Sequence, residues 1–147
     1  MALVYFDSSA FVKLLIEEEG SVLAAELWDG CDAAVSSRLA YPEVRSALAA
    51  ASRNHDLPPR AFASAERSWE EYWAATRPVE LTQSVARHAG QLACDHSLRG
   101  ADAVHLASAL ATNDPDLIVA AWDRRLHAGA RAVQMSVAPA SLDEQYK

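Results

Sequence analysis

Short, fully apolar runs alternate with amphipathic stretches along this 147-residue chain. Ala2-Leu3-Val4-Tyr5-Phe6 begins the pattern and Leu117-Ile118-Val119-Ala120-Ala121 repeats it late. Continuous apolar runs of this length read as strands buried on both faces. Weaker strand signals lie at 33–36, 79–81 and 132–135. Between them, apolar residues recur at helical spacing. Phe11, Leu14 and Leu15 mark a helix over 8–18; Val22, Leu23, Leu27 and Trp28 mark one over 21–29, stopped by Gly30. Val85, Ala89, Leu92 and His96 share a face of a helix over 83–97, which Thr82 caps. Further helices are predicted over 38–54, 59–75 and 101–112. Pro42 fits only a first turn, so the regular part of the helix over 38–54 is expected to start there. Short strands alternating with helices predict one α/β domain over 1–147, with a central, mostly parallel sheet flanked by helices on both faces.

Composition changes this picture little. With 51% hydrophobic and 22% charged residues, the chain has an ordinary globular balance, and five glycines and six prolines are too few for a linker-rich chain. No apolar stretch approaches the ~18 residues of a membrane span. Met1 leads straight into the first strand, so no secretory leader is expected. Cys31 and Cys94 lack any motif spacing, and a reducing cytoplasm is the simplest compartment. The formal charge of −7 opposes generic nucleic-acid binding. That objection weakens if divalent ions sit among the acids, because they reverse the local sign.

Candidate chemistry begins at Asp7, which follows the first strand and opens Asp7-Ser8-Ser9. Asp123 follows the strand at 117–121 in the same way, while Glu43 and Asp102 fall in first helical turns. In a doubly wound sheet, strand C-termini and helix N-termini share one edge, so these carboxylates can converge. Gathered acids raise one another's pKa, and a hard dication such as Mg²⁺ or Mn²⁺ relieves the repulsion. With no CxxC or HExxH pattern, zinc is disfavoured. Singly, each acid has a plainer reading. Asp7 could be a helix cap, Glu43 a dipole-favoured surface acid, and Asp123 a partner of Arg124 or Arg125. Arg99, Arg124 and Arg125 flank the acids and read either as phosphate contacts or as salt-bridge partners. His105, between Val104 and Leu106, reads as a hydrogen-bonded core histidine, and Asp114 and Asp116 as turn residues.

The segments Val4-Tyr5-Phe6-Asp7-Ser8-Ser9-Ala10, Pro42-Glu43-Val44, Leu98-Arg99-Gly100-Ala101-Asp102-Ala103-Val104-His105-Leu106-Ala107 and Ala121-Trp122-Asp123-Arg124-Arg125-Leu126 resemble, in order and spacing, PIN-domain toxins of virulence-associated (VapBC-type) toxin–antitoxin pairs. The resemblance implies a Mg²⁺- or Mn²⁺-dependent endoribonuclease. It implies that Asp7, Glu43, Asp102 and Asp123 form the acidic quartet and that Ser9 supports the first aspartate. It also implies a cognate antitoxin, an RNA substrate and a homodimer. The antitoxin is expected in a groove around Phe11, Leu14, Val22 and Leu27. Ala120-Ala121-Trp122 stands where the family often places a hydroxyl before its fourth acid. Two other classes stay open: an aspartyl-phosphate phosphohydrolase with Asp7 as nucleophile, which usually needs an Asp where Ser9 stands, and a non-catalytic PIN-like interaction module.

Overall fold

A computed structural model describes residues 2–142. Its elements run β1 (Leu3–Phe6), α1 (Ser8–Leu15), α2 (Ser21–Gly30), β2 (Ala33–Ser37), α3 (Ala40–Arg53), α4 (Pro59–Ala74), β3 (Thr76–Val79), α5 (Gln83–His96), α6 (Gly100–Leu110), β4 (Ile118–Ala120), α7 (Arg124–Ala132) and β5 (Ser136–Ala138). The strands form one sheet in the order β3-β2-β1-β4-β5, and every neighbouring pair is parallel. The first strand in the chain is therefore the central one. The order departs from β1 in both directions, which makes the gap between β1 and β4 a topological switch point.

The period-two geometry of strands splits the apolar runs between two cores. Tyr5, Val35 and Val119 face Val85, Leu92, Leu106 and Leu126 of α5, α6 and α7. Val4, Phe6, Ala34 and Ala120 face Phe11, Val44, Leu48 and Trp69 of α1, α3 and α4. Both faces of the sheet are covered, which is why β1 and β4 are apolar throughout rather than alternating. Phe11 is fully buried in an aromatic cluster with Phe6, Trp28, Trp69 and Trp73. It is thus core, and the groove expected around Phe11, Leu14, Val22 and Leu27 does not include it at the surface.

Several boundaries differ from the sequence reading. Helix α1 stops at Leu15, not near 18, because Glu17-Glu18-Glu19 would set three anions on the negative end of the helix dipole. Helix α3 begins at Ala40, with Pro42 inside its first turn, where a missing N–H does no harm. β3 lies at 76–79 rather than 79–81, since Pro78 is admissible on an edge strand. The stretch after Asp123 is α7, and its last residue is Ala132. The expected strand at 132–135 is the end of that helix and a turn with Gln134 at φ 65°, and β5 starts at Ser136. Gly20 enters α2 at φ 94°; a Cβ there would lie 2.7 Å from Trp122 Nε1. The glycine thereby lets the segment before Asp123 pack closely against the start of α2. Among the described residues, no helix is long and apolar enough to cross a membrane.

Candidate active site

The carboxyl edge of the sheet collects the acids. Asp7 continues β1, its N–H bonded to the Ala120 carbonyl at 3.2 Å, and serves as N-cap of α1. Its Oδ1 accepts from the Ala10 N–H at 2.8 Å and from the Ser9 hydroxyl at 2.6 Å. Capping explains the residue locally. It does not explain why a carboxylate 2% exposed was placed there. Burial pushes the Asp7 carboxyl up to about 6, and the Asp123 carboxylate adds to the rise. The nearby His105 and the hydrogen bonds from Ser9 and Ala10 hold it partly back. Asp7 is a buried anion short of a counter-charge.

Asp123 repeats the device at the end of β4. Its Oδ1 caps α7 by accepting from the Leu126 N–H at 3.0 Å. Ser9 links the two aspartates. Its hydroxyl donates to Asp7 and accepts from the Trp122 N–H at 2.9 Å. A backbone amide therefore tethers the segment in which the family often carries a hydroxyl.

Asp102 lies in the first turn of α6 with its side chain 9% exposed. Arg99, N-cap residue of the same helix, donates from Nε to Asp102 Oδ2 and from Nη2 to Asp123 Oδ2, both at 3.1 Å. One guanidinium thus bridges acids from two segments, and its own side chain is 61% exposed. The salt-bridge alternative for Arg99 is the arrangement found. Arg124 and Arg125 lie exposed in the first turn of α7. Arg125 lines a cavity with His96, Leu98 and Gly129 on the α5–α7 side. Asp114 accepts from the Asp116 N–H at 2.9 Å, a turn closure in the loop before β4.

Glu43, on α3, points to α6: its Oε1 lies 2.6 Å from His105 Nε2. His105 is 3% exposed, and its Nδ1 lies 2.7 Å from the Tyr5 hydroxyl. That hydroxyl accepts from the Ser37 N–H at 3.0 Å. Tyr5 and Ser37 escaped the sequence reading. The available signal was a tyrosine inside an otherwise aliphatic strand, because a buried phenol has to find a partner.

The four acids and Ser9 therefore occupy one end of the molecule, on β1, α3, α6 and β4–α7. Among the described residues, no three His, Cys, Asp or Glu side chains already stand together as a metal cage. Asp102 and Asp123 are turned to Arg99, and Glu43 to His105. The donor set is nonetheless all carboxylate oxygen, with one buried member only partly compensated and two held by a single solvent-exposed cation. That chemistry fits a hard divalent ion and no soft one.

The fold and this edge define the class: the chain belongs to the PIN domain family, which matches residues 4–131. Within it, the chain is 72% identical over 143 residues to Ribonuclease VapC45 of Mycobacterium tuberculosis (strain CDC 1551 / Oshkosh), covering 97% of this chain and 99% of that protein. It has the same identity and coverage with Ribonuclease VapC49 of M. tuberculosis strain ATCC 25618 / H37Rv. Among solved structures, a toxin–antitoxin complex from Klebsiella pneumoniae superposes with a TM-score of 0.63 at 19% identity. That match covers 97% of this chain and all of the other, and shows a shared fold. The family resemblance read from the Asp7-Ser8-Ser9 and Asp102-to-Ala107 segments is the family found.

Proposed function

We propose that this chain is a divalent-metal-dependent endoribonuclease and the toxin of a toxin–antitoxin pair. The observation that carries the reading is the convergence of Asp7, Asp102 and Asp123 at the switch point, where Arg99 bridges two of them and burial leaves the third only partly compensated. The 72% identity to proteins named ribonuclease VapC supports the substrate class. Mg²⁺ or Mn²⁺ held by these aspartates, with Glu43 as direct or water-mediated ligand, would supply Lewis-acid activation of water and charge neutralisation at the phosphate.

The chain's own residues do the rest. Ser9 and the Ala10 amide fix one oxygen of Asp7, so only the other is free to face the crevice. The Leu126 amide likewise fixes Oδ1 of Asp123, whose Oδ2 Arg99 holds. These contacts preorganise the acids at little entropic expense when ligand arrives. Arg99, once released from Asp102 and Asp123, would offer its guanidinium to a substrate phosphate. Two dications would bring the formal −7 to about −3 and make the mouth locally positive. The partners this reading carries are RNA, a cognate antitoxin and a second copy of the chain, and the working compartment is the cytoplasm. Half-buried Leu14 and Leu27 with exposed Val22 offer the antitoxin an apolar strip.

The test is calorimetric titration of Mn²⁺ into the wild type and Asp102→Ala, beside cleavage of structured RNA in Mg²⁺ and in EDTA. Binding and cleavage are expected in the wild type, both lost in Asp102→Ala, and cleavage lost in EDTA. Cleavage that survives EDTA and the substitution refutes the proposal. An acyl-phosphate trapped on Asp7 would instead favour phosphohydrolase chemistry.

A further inference from the structure

We propose that the recess between the ends of β2 and β3 and the first turn of α3 holds an unpaired RNA base beside the cleaved bond, with Trp73 and Leu81 as walls and the Arg38–Glu80 pair reading its edge. The inference rests on the ribonuclease reading above and adds a specificity site outside the acidic quartet.

Strand register builds the recess. Ser37 pairs with Val79 at the end of the β2–β3 ladder, so Arg38 and Glu80 leave the sheet side by side. The Arg38 N–H donates to the Val79 carbonyl at 3.0 Å, and the Leu39 N–H to the Ser37 hydroxyl at 3.1 Å, which fixes the turn into α3. The Thr82 N–H donates to the Glu80 carbonyl at 3.0 Å and holds the loop that carries Leu81. The Arg38 guanidinium donates from Nε to Glu80 Oε1 at 3.2 Å and bonds the same oxygen from Nη2. It lies 6.0 Å from the centre of the Trp73 ring, in the last turn of α4. Tyr41 tilts against the same indole, with ring centres 5.9 Å apart. Leu39, Pro42 and Leu81 complete a mostly apolar cavity of about 550 Å³. That volume falls within the ~300–1,000 Å³ of small-ligand sites.

Position and chemistry select the occupant. Continuing the β1–β2 register past Tyr5 and Val35 sets Asp7 opposite Ser37, one residue before Arg38. Strands lie about 4.8 Å apart, so the end of β3 is roughly 10 Å from that of β1. Pro42, on the cavity wall, is followed directly by Glu43. An RNA strand crossing the acids therefore brings a neighbouring base to the recess. Sites that read RNA stack unpaired bases on aromatic rings or guanidinium planes and hydrogen-bond their edges. Trp73 and Arg38 supply the planes, while the ion pair supplies both donors and acceptors for a base edge. An aliphatic side chain from a protein partner would fill the same walls but answer none of the polar groups on that rim. A second copy of the chain would need about 800 Å² per partner. Among the described residues, the exposed large apolar side chains are Leu81, at 52%, and Val22, which lies apart on α2.

The experiment digests a pool of RNA hairpins with degenerate loops in Mg²⁺ and reads the cut ends. It compares the wild type with Arg38→Gln, Leu81→Ser and Trp73→Leu, each checked for folding by urea titration and for Mn²⁺ affinity by calorimetry. The wild type is expected to prefer one base at a fixed position beside the cut, and Arg38→Gln to relax that preference. Trp73→Leu should lower kcat/KM about fivefold or more, chiefly through KM, as lost stacking does. Leu81→Ser should act in the same direction, and Mn²⁺ affinity should stay at the wild-type value in all three. An abasic nucleotide at the preferred position should slow the wild type and abolish its difference from the variants. Wild-type preference and rate in folded Arg38→Gln and Leu81→Ser overturn the inference. So does a smaller assembly on sedimentation of Leu81→Ser with cleavage unaltered, which would give the recess to a second copy. Loss of a co-expressed protein partner from Leu81→Ser, again with cleavage unaltered, would give it to that partner and overturn the inference equally. If Trp73→Leu does not fold, the two exposed-residue variants decide alone. A wild type that cuts no member of the pool would instead sink the ribonuclease reading itself.

Discussion

Replacing Asp7 with Asn should stabilise the metal-free protein at neutral pH while destroying its proposed chemistry. The unfolded carboxyl ionises near 3.8 and the folded one near 6, because burial opposes the charge. Between those values the unfolded chain gives up its proton while the folded chain retains it. Stability linked to Asp7 is thus complete below about 3.8 and is lost as pH rises through about 6. A gap of about 2 units, at roughly 1.4 kcal/mol each, makes the ionised carboxylate cost about 3 kcal/mol. Asn keeps the Oδ1 acceptor for Ser9 and Ala10 and is an equally good cap. Its new amide donors give back roughly 1–2 kcal/mol if they find no partner. The net expectation is a gain of about 1–2 kcal/mol for Asp7→Asn near pH 8, shrinking and then reversing near pH 4. Urea unfolding in EDTA at both pH values measures it, with the difference between variants cancelling the other titrations. A variant less stable than the wild type at the higher pH, or a gap that does not change with pH, would refute the reasoning.

Arg99→Ala should alter stability little, because its side chain is 61% exposed and water screens both ion pairs on that side. It should nevertheless tighten Mn²⁺ several-fold by calorimetry, since the two acids would no longer hold a competing cation; unchanged or weaker affinity contradicts this. Gly20→Ala forces a left-handed φ of 94° on a side chain and drives its Cβ to 2.7 Å from Trp122 Nε1. It should cost roughly 1–3 kcal/mol and lower Tm by about 3–10 °C in a circular dichroism melt. An unchanged midpoint would mean that Trp122 moves aside freely.

The sheet was legible where burial on both faces erased polar residues, as in Val4-Tyr5-Phe6 and Ile118-Val119-Ala120. It was poorly legible at its edges. Thr76-Arg77-Pro78-Val79 and Ser136-Val137-Ala138 have one open side, so nothing forces an apolar run there. Helix α7 was hidden because its buried positions are Leu126, His127, Gly129 and Ala130, which carry little hydrophobic signal. The placement of the acids at one edge followed from strand–helix alternation alone. Their present partners did not. That Arg99 spans Asp102 and Asp123, and that His105 reaches Glu43 across two elements, depends on side-chain reach that spacing does not encode. His105 was read as a bonded core residue, which matches its burial and its two ring contacts.

The first strand in chain order is also the middle of the sheet, and its second neighbour, β4, follows only after α6. The contact between Trp122 and Ser9 spans 113 residues. While the ribosome is still at work, the N-terminal half has nothing to lay against one side of β1, and Asp123 has not yet been made. A nascent or prematurely terminated chain therefore carries Asp7 and Glu43 without their counterparts. On the proposed reading, competence for cleavage would wait until β4 and Asp123 have been made and laid against β1.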